Sequence, residues 1–307
     1  MQYLHYLVTD MDDTMIEAYG KPTEEVKKLW NKISESPDIV TVIATGQQYT
    51  KVKSTFLANH LPLPTYIIAD QGTVLYSTKI NEILKNFWLP CDEVFPIVAE
   101  FLEKGGQPEF IRICTPEIIF AYDCKQARDF FNSTKQKNVI YGKDLLHVIK
   151  HGHYTKVILM NTPELVDELV LFSANANTLM AVNTGETKYG DCHYHRFEVV
   201  SSNKKIGLEE LLNLSADFPN NSTPINIIGL GDEHSDLGLA EATIGINLTP
   251  PNIGNFAIIQ NNTKGGLALA KDCENLVTCI GYPERLIKVS GVKENGWVEA
   301  INAWLNV

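Results

Sequence analysis

The chain has 307 residues, which at about 150 residues per domain predicts two domains or one core with a large insertion. Hydrophobic residues make up 44% and charged residues 21%, as in ordinary globular proteins and unlike disordered, collagen-like or coiled-coil chains. The 26 Lys and Arg against 37 Asp and Glu give a formal charge of −11, and no block of basic residues interrupts this excess. Nucleic acids and anionic membranes are therefore disfavoured as partners.

The six cysteines include no C-x-x-C pair, a pattern that favours reduced thiols over a disulfide framework. The first ten residues contain neither a basic region nor a cleavable apolar run, and nowhere do about 18 apolar residues follow one another. We therefore expect a cytoplasmic protein that neither enters nor crosses a membrane.

The first 84 residues alternate buried-strand patterns with amphipathic helices, as a parallel βαβ sheet requires. Apolar runs predict strands over residues 6–9, 39–45 and 66–69. The first intervening helix has Thr23 as its cap and an apolar face made of Val26, Leu29, Trp30 and Ile33. The second has an apolar face made of Tyr49, Val52, Phe56 and Leu57. This alternation predicts half of a doubly wound sheet.

Residues 85–200 follow a different pattern. A helix over 92–104 precedes short strands over 110–114 and 118–122, which are split by Thr115-Pro116-Glu117 and predict a β-hairpin. Further strands are predicted over residues 156–160, 178–182 and 195–200, with a helix over 163–172. Because this stretch has its own strands and helices, we interpret it as an inserted α+β domain.

The α/β alternation returns at Lys204. A helix with its apolar positions at Ile206, Leu208, Leu211 and Leu212 precedes a strand over 225–229, a loop over 230–236, a short helix and a strand over 243–247. Near the end of the chain, Trp297, Ile301 and Trp304 have the spacing of a core-facing helical stripe. The predicted fold is therefore α/β, with a Rossmann-like parallel sheet from residues 1–84 and 201–307 and the α+β domain of residues 85–200 inserted into it.

Three predicted core strands run directly into polar residues, which are, in chain order, Asp10 and Asp12, Thr45 and Gly46, and Asp232 and Asp236. Ligands of open α/β sheets bind outside the carboxyl ends of the strands, so these segments should converge on one crevice. Four carboxylates packed together without a cation would repel one another, and hard oxygen ligands suit octahedral Mg²⁺. The pattern therefore predicts a divalent-metal site.

Taken in order, four motifs resemble those of the haloacid dehalogenase superfamily of phosphohydrolases: Asp10-x-Asp12-x-Thr14, Thr45-Gly46, a lysine at Lys204, and Gly231-Asp232-x-x-x-Asp236. Each motif is weak alone, but four in order at strand ends, with a domain-sized insertion after the second, form a specific pattern. There are two departures: Asp13 replaces the usual glycine, and Ser235 replaces a frequent asparagine. Since every charged residue of the motifs is present, we expect an active enzyme.

The resemblance implies a Mg²⁺-dependent phosphatase with a covalent intermediate. Asp10 would be the nucleophile that forms an aspartyl-phosphate, and Asp12 would protonate the leaving oxygen and then take a proton from water. The metal ligands would be the Asp10 carboxylate, the Asp12 backbone carbonyl and Asp232, with Asp236 close by.

The resemblance also implies a phosphate-binding set. The Thr45 hydroxyl and the Gly46 N–H would bind a phosphate oxygen, where glycine allows close approach. Lys204 and Lys205 are adjacent. Superfamily members with this type of insertion show a Lys-Gly-x-Ala-Leu-x-x-Leu pattern, which, aligned on Leu208 and Leu211, selects Lys204 and puts Lys205 where glycine usually lies. Because successive helical residues point about 100° apart, Lys205 should face away from the site.

The insertion resembles the α/β cap of the Cof-type, sucrose-phosphatase and mannosyl-3-phosphoglycerate phosphatase subgroups, which act largely on phosphorylated sugars. The resemblance thus implies that residues 85–200 govern specificity and that the substrate is a small phosphorylated metabolite, a sugar phosphate or a glycosyl-phosphoglycerate. A phosphomutase of the same fold and an inactive sugar-phosphate-binding regulator are the alternatives. The physiological substrate and the oligomeric state stay open.

Several side chains of the insertion allow more than one interpretation. Two H-x-H pairs could be packed or solvated, contact substrate or bind zinc, and they comprise His151, His153, His193 and His195. The first interpretation is favoured, because no cysteine or carboxylate lies at a recognisable metal-site offset. Three basic residues are expected to be solvated strand charges rather than anchors for a second substrate group, namely Arg112, Lys156 and Arg196.

Overall fold

The computed structural model describes residues 3–17, 20–133, 136–173, 178–189, 192–214, 223–246 and 251–305, and only the backbone of residues 181–189, 192 and 193. The chain divides into two compact units, residues 1–85 with 204–307 and residues 86–203. The second unit therefore interrupts the first in sequence. In the described part of the chain, no helix is both long enough and apolar enough to cross a membrane.

The strands and helices are numbered in chain order. The strands are β1 (Leu4–Thr9), β2 (Ile39–Ala44), β3 (Tyr66–Ala69), β4 (Val74–Ser77), β5 (Glu82–Asn86), β6 (Ile111–Cys114), β7 (Ile119–Tyr122), β8 (Val139–Gly142), β9 (Lys156–Asn161), β10 (Met180–Tyr189), β11 (Cys192–Val200), β12 (Ile225–Gly231), β13 (Ile253–Ile259) and β14 (Leu286–Val289). The helices are α1 (Glu24–Ser34), α2 (Tyr49–Ala58), α3 (Cys91–Glu103), α4 (Lys125–Ser133), α5 (Leu145–His151), α6 (Pro163–Ser173), α7 (Lys204–Leu214), α8 (Leu237–Gly245), α9 (Lys264–Ile280) and α10 (Gly296–Trp304).

The sheet of the first unit has the order β14-β13-β12-β1-β2-β3-β4-β5 among the described strands. Neighbouring strands from β14 to β3 are parallel, and β4 runs antiparallel to β3. This arrangement confirms the predicted α/β class with a parallel core sheet. Because β1 lies between β12 and β2, the residues that follow these three strands are neighbours at one edge of the sheet.

Helix α1 forms as its sequence predicts. The Thr23 hydroxyl accepts a hydrogen bond from the Val26 N–H at 3.2 Å, which satisfies a donor that has no partner within the helix. The Trp30 ring is fully buried, with its centroid 5.3 Å from that of Phe56 and 6.1 Å from that of Trp297. Aromatic contacts of this kind add about 0.5–1.5 kcal/mol beyond the burial of apolar area.

Two predicted features of the first unit are wrong. Leu57 is 60% exposed, because the buried face of α2 is defined by Phe56 and the residues before it, and Leu57 is rotated away from Phe56. The predicted strand over 243–247 is also wrong, since residues 243–245 end α8 and the strand beside β12 is β13. Helix α8 packs against α7, β12 and β13, and a helix buried on several sides shows an apolar run without a helical period.

The sheet of the second unit has the order β10-β11-β9-β6-β7-β8 among the described strands. Strands β6 and β7 form the predicted antiparallel hairpin, and only the β7–β8 pair of this order is parallel. Apolar side chains of α3, α5 and α6 pack into a buried cluster with those of β6, β9 and β11. The mixture of helices with a mainly antiparallel sheet is the predicted α+β architecture.

Two basic residues of this sheet are buried, so the expectation of solvated strand charges is wrong for them. Arg112 is 8% exposed and its guanidinium lies 4.0 Å from the ring centroid of Phe130. Lys156 is 2% exposed, with its Nζ atom 3.9 Å from Oε2 of Glu198, which also pairs with Arg196. An aromatic ring and a carboxylate replace the water that these cations lose.

The two histidine pairs lie on different elements of the second unit. His151 ends α5 and His153 follows it in a loop, so this pair is not on a strand, and both side chains are exposed. His195 is half-buried on β11, and the side chain of His193 lies outside the described residues. Among the residues with described side chains, no group of three metal-ligating side chains includes a histidine.

Candidate active site

Three acidic side chains converge at the carboxyl ends of β1 and β12. Carboxylate oxygens of Asp10, Asp232 and Asp236 all lie within 4.8 Å of one another, and all three residues are buried. Oδ2 of Asp236 accepts the backbone N–H groups of Asp232 at 3.1 Å and Glu233 at 3.3 Å. A Cβ atom at Gly231 would lie 2.5 Å from Cβ of Asp236, so the close return of this turn requires glycine.

A lysine ammonium lies between two of these carboxylates. Lys204, the first residue of α7, is 3% exposed and places its Nζ atom 2.7 Å from Oδ1 of Asp10 and 2.5 Å from Oδ1 of Asp236. The adjacent Lys205 has a 40% exposed side chain that pairs with Glu241 at 3.1 Å. The turn of the helix thus directs one lysine into the cluster and the other to the surface.

The electrostatics of the cluster show an excess of negative charge. Burial raises the pKa of Asp10 to about 7, with Lys204 opposing the rise and Asp236 adding to it. Burial, followed by the charges of Asp10 and Asp236, raises the pKa of Asp232 to about 8. Burial lowers the pKa of Lys204, but the two carboxylates outweigh it and the net change is upward. One ammonium against three carboxylates leaves a charge that a bound cation would neutralise.

Two neutral side chains hold Asp232. The Thr14 hydroxyl donates to its Oδ1 at 2.7 Å, and Nδ2 of Asn261 donates to its Oδ2 at 3.1 Å and to the Asp13 carbonyl at 2.6 Å. Asp13 has a φ of 55°, in the left-handed region that favours glycine and that aspartate tolerates better than most residues. The structure thus explains why glycine is usual here and how Asp13 replaces it. Ser235, the other departure, is exposed on the turn.

The segment after β2 contacts Asp12. Thr45 is buried, and its Oγ1 atom accepts the Gln47 N–H at 3.2 Å, which leaves the hydroxyl hydrogen to donate. A Cβ atom at Gly46 would lie 2.6 Å from Nε2 of Gln71, so a larger residue here would displace the end of that side chain. Nε2 of Gln47 donates to Oδ2 of Asp12. Burial raises the pKa of the Asp12 carboxyl, and this hydrogen bond opposes the rise. The Asp12 carboxylate is not in the group of three.

The sequence reasoning missed three residues of this region. Gln47 directly follows the Thr45-Gly46 motif, so its position was the available signal. Asn261 follows β13, and the misplaced strand over 243–247 hid this polar strand end. Trp297 is core-facing as predicted, but its Nε1 atom also donates to Oγ1 of Thr9 at 3.1 Å. The Thr9 hydroxyl in turn donates to the Asp10 carbonyl at 2.7 Å. No pattern in the sequence marks this long-range contact.

The Trp297 hydrogen bond leads to a testable expectation. Trp297→Phe keeps an aromatic ring but removes the donor to the buried Thr9 hydroxyl, next to Asp10. We expect the free energy of unfolding in urea to fall by about 1 kcal/mol more than for Trp304→Phe, the matched change at a partly buried tryptophan of the same helix. Equal losses in the two variants would show that only the size of the ring matters.

The chain matches the family model described as haloacid dehalogenase-like hydrolase over residues 7–248, which confirms the resemblance inferred from the motifs. No curated protein matches it in sequence. A haloacid dehalogenase-like hydrolase from B. subtilis is 13% identical, with 99% of this chain and 100% of that chain covered and a TM-score of 0.71. BT1666 from Bacteroides thetaiotaomicron is 13% identical, with 98% and 95% covered and a TM-score of 0.68. The HAD subclass IIB sugar phosphatase BT4131 is 12% identical, with 98% and 99% covered and a TM-score of 0.68. These identities show a common fold.

Proposed function

The chain belongs to the haloacid dehalogenase-like hydrolase family, and on this basis we propose that it is a Mg²⁺-dependent phosphomonoester hydrolase that acts on a small phosphorylated metabolite. The observation that carries the proposal is the Lys204 ammonium 2.7 Å from the buried Asp10 carboxylate at the end of β1. A carboxylate that attacks a phosphate dianion needs fixed positive charge beside it, and a buried ammonium supplies that charge at low local dielectric.

Asp10 and Asp12 divide the reaction between them. An Asp10 carboxylate oxygen attacks phosphorus, the bond to the leaving oxygen breaks, and the protonated Asp12 carboxyl gives that oxygen its proton. In the second half, the Asp12 carboxylate takes a proton from water, whose oxygen attacks phosphorus and breaks the bond to Asp10. The products are the alcohol and inorganic phosphate, and both aspartates return to their starting states.

Three further groups bind the phosphoryl oxygens in this proposal. The Thr45 hydroxyl and the Gly46 N–H donate to one oxygen, and Lys204 neutralises charge between Asp10 and the phosphoryl group. The Thr45 hydroxyl suits this role because it accepts from the Gln47 N–H and keeps its hydrogen to donate. Because glycine has no side chain, a phosphate oxygen can approach the Gly46 backbone closely.

The acidic cluster fits a magnesium ion by the chemistry of its donors. Hard carboxylate oxygens of Asp10 and Asp232 lie close together, and the Lys204 ammonium is one positive charge against the three carboxylates of the cluster. These two carboxylates and the Asp12 backbone carbonyl would hold the ion, with Asp236 close by. When bound, Mg²⁺ would offset the repulsion between the attacking carboxylate and the phosphate.

We extend the proposal to the substrate class and to the second unit. Residues 86–203 form a compact α+β unit interrupting the chain between the Thr45-Gly46 segment and Lys204, the position of a specificity cap. The fold is shared with a protein named as a sugar phosphatase, which supports a sugar phosphate as substrate. A glycosyl-phosphoglycerate is the other substrate class that we propose, from the sequence resemblance alone. The five cysteines with described side chains form no disulfide with one another, as the proposed cytoplasmic location would require.

A panel of phosphorylated metabolites with detection of inorganic phosphate tests the function. We expect phosphate release from a generic aryl phosphate and faster release from one or a few sugar phosphates. A phosphomutase would isomerise its substrate without steady release, and an inactive regulator would bind without turnover. Either result would contradict the proposed hydrolase.

Removing metal and raising the pH are expected to destabilise the protein together. The pKa values of Asp10, about 7, and Asp232, about 8, lie above their unfolded values, so the metal-free folded state binds more protons than the unfolded state between about pH 4 and 8. Its stability therefore falls as the pH rises through this range. Thermal unfolding in chelator should show a lower midpoint at pH 8 than at pH 5.

Magnesium should reverse this loss at pH 8. At about a hundred times its Kd, Mg²⁺ would add about 2.7 kcal/mol of stability, and chelator should stop turnover. The larger Ca²⁺ should support turnover poorly. Asp232→Asn is the matched control, because it removes a ligand charge and should abolish most of the Mg²⁺-dependent shift. A midpoint independent of pH and Mg²⁺ would contradict the metal site.

A further inference from the structure

Gln47 connects the segment after β2 to Asp12 through its side chain and to Asp70 through its backbone. Its Nε2 atom donates to Oδ2 of Asp12, its backbone N–H donates to Oγ1 of Thr45 at 3.2 Å, and its carbonyl accepts the Asp70 N–H at 2.9 Å. The backbone of Gln47 is therefore held at both of its polar groups. This anchored backbone places the side-chain amide of Gln47 against the Asp12 carboxylate.

An aspartate needs such a contact if it is to act as an acid and then as a base. The torsion that rotates a carboxylate about its last bond is broad, so packing of the Asp12 stem alone does not set the direction of its oxygens. A donor on one oxygen sets the plane of the group. With Oδ2 occupied by Gln47, Oδ1 is the oxygen left to exchange a proton with the reacting atoms.

The oxygen of the Gln47 amide supports the same conclusion. Its Oε1 atom is buried and has no hydrogen-bond partner among the residues that the structure describes. A buried acceptor without a partner costs free energy, so this amide is a poor choice if its role is only to stabilise the loop. Methionine would fill a similar volume without that cost.

We propose that Gln47 is a positioning residue that orients the Asp12 carboxyl toward the leaving oxygen of the substrate. The inference rests on the proposed hydrolase function and adds to it a residue outside the motifs. It predicts a specific defect when the Gln47 amide is lost. Hydrolysis should slow for substrates whose leaving group requires a proton, and not for substrates whose leaving group departs as a stable anion.

The test compares two aryl phosphates in Gln47→Met. 4-Nitrophenyl phosphate releases a stabilised anion, whereas phenyl phosphate releases a more basic oxygen that benefits from a proton. We expect kcat/KM for phenyl phosphate to fall about tenfold or more and that for 4-nitrophenyl phosphate to fall less than about threefold. kcat/KM is the correct quantity, because it includes the step in which the leaving group departs.

Matched variants separate positioning from loss of structure. Gln48→Met makes the same change at the neighbouring buried glutamine and should leave the ratio of the two kcat/KM values unchanged. Gln47→Ala, which cannot overpack the site, should reproduce the ratio of Gln47→Met, and thermal unfolding of each variant checks the fold. If kcat/KM falls equally on both substrates in a folded variant, or on neither, the positioning role of Gln47 is overturned and the proposed hydrolase function is not. No turnover by the unmutated chain would overturn the proposed function and this role with it.

Discussion

Asp10→Asn is expected to fold normally and to lose turnover by about 10⁴-fold or more, because an amide is neither a nucleophile toward phosphorus nor an anionic metal ligand. In chelator at pH 8, its thermal midpoint should be no lower than that of the unmutated chain. In the unmutated chain, burial raises the pKa of Asp10 to about 7, and this carboxylate repels Asp232 and Asp236. The asparagine amide of the variant removes that repulsion, and it also removes the ion pair between residue 10 and Lys204.

Two measurements test the assignment of Asp10 as the nucleophile. Asp13→Asn makes the same change three residues along in the same loop, at a left-handed position that asparagine tolerates, and should keep turnover within a few-fold. Rapid quenching of the unmutated enzyme during turnover should give a phosphorylated peptide that contains Asp10. A near-normal rate in Asp10→Asn, or a phosphoryl group on another residue, would show that the nucleophile is misassigned.

Lys204→Ala is expected to lower turnover by about a hundred- to a thousand-fold, the effect of losing one donor that stabilises developing charge, or about 2.7 to 4 kcal/mol. It should also lower the free energy of unfolding in the metal-free protein. Lys204 is buried between Asp10 and Asp236, and removing one partner of a buried pair costs about 3 to 5 kcal/mol. Steady-state kinetics and urea unfolding of the same preparation measure both effects.

Lys205→Ala is the matched control for this experiment. Its side chain pairs with Glu241 at the surface, and an exposed pair of this kind contributes about 0 to 1 kcal/mol. Turnover should stay within a few-fold of the unmutated enzyme. A large loss in Lys205→Ala with a small one in Lys204→Ala would place the other lysine at the reaction.

The elements that the sequence predicted well are those with a clear local period. Helix α1 and strands β1, β2 and β3 follow from apolar spacing and from a cap at Thr23. The misplaced strand over 243–247 shows the limit of this reasoning. Thr243 and Ile244 favour a strand by type, but the contacts of α8 with β12 and β13 stabilise a helix there. Tertiary burial outweighed a local preference of less than about 1 kcal/mol per residue.

The sequence by itself determined the fold class, the insertion and the polar strand ends with their carboxylates, because parallel strands deliver the residues after them to one edge of the sheet. Only the tertiary structure decided which side chains touch. It placed Lys204 between Asp10 and Asp236, and brought Asn261 to Asp232 and Gln47 to Asp12. Such contacts join residues 29 to 194 positions apart in the chain. No local period encodes them, because hydrogen bonds depend on side-chain geometry within a few tenths of an ångström, which only the packed fold sets.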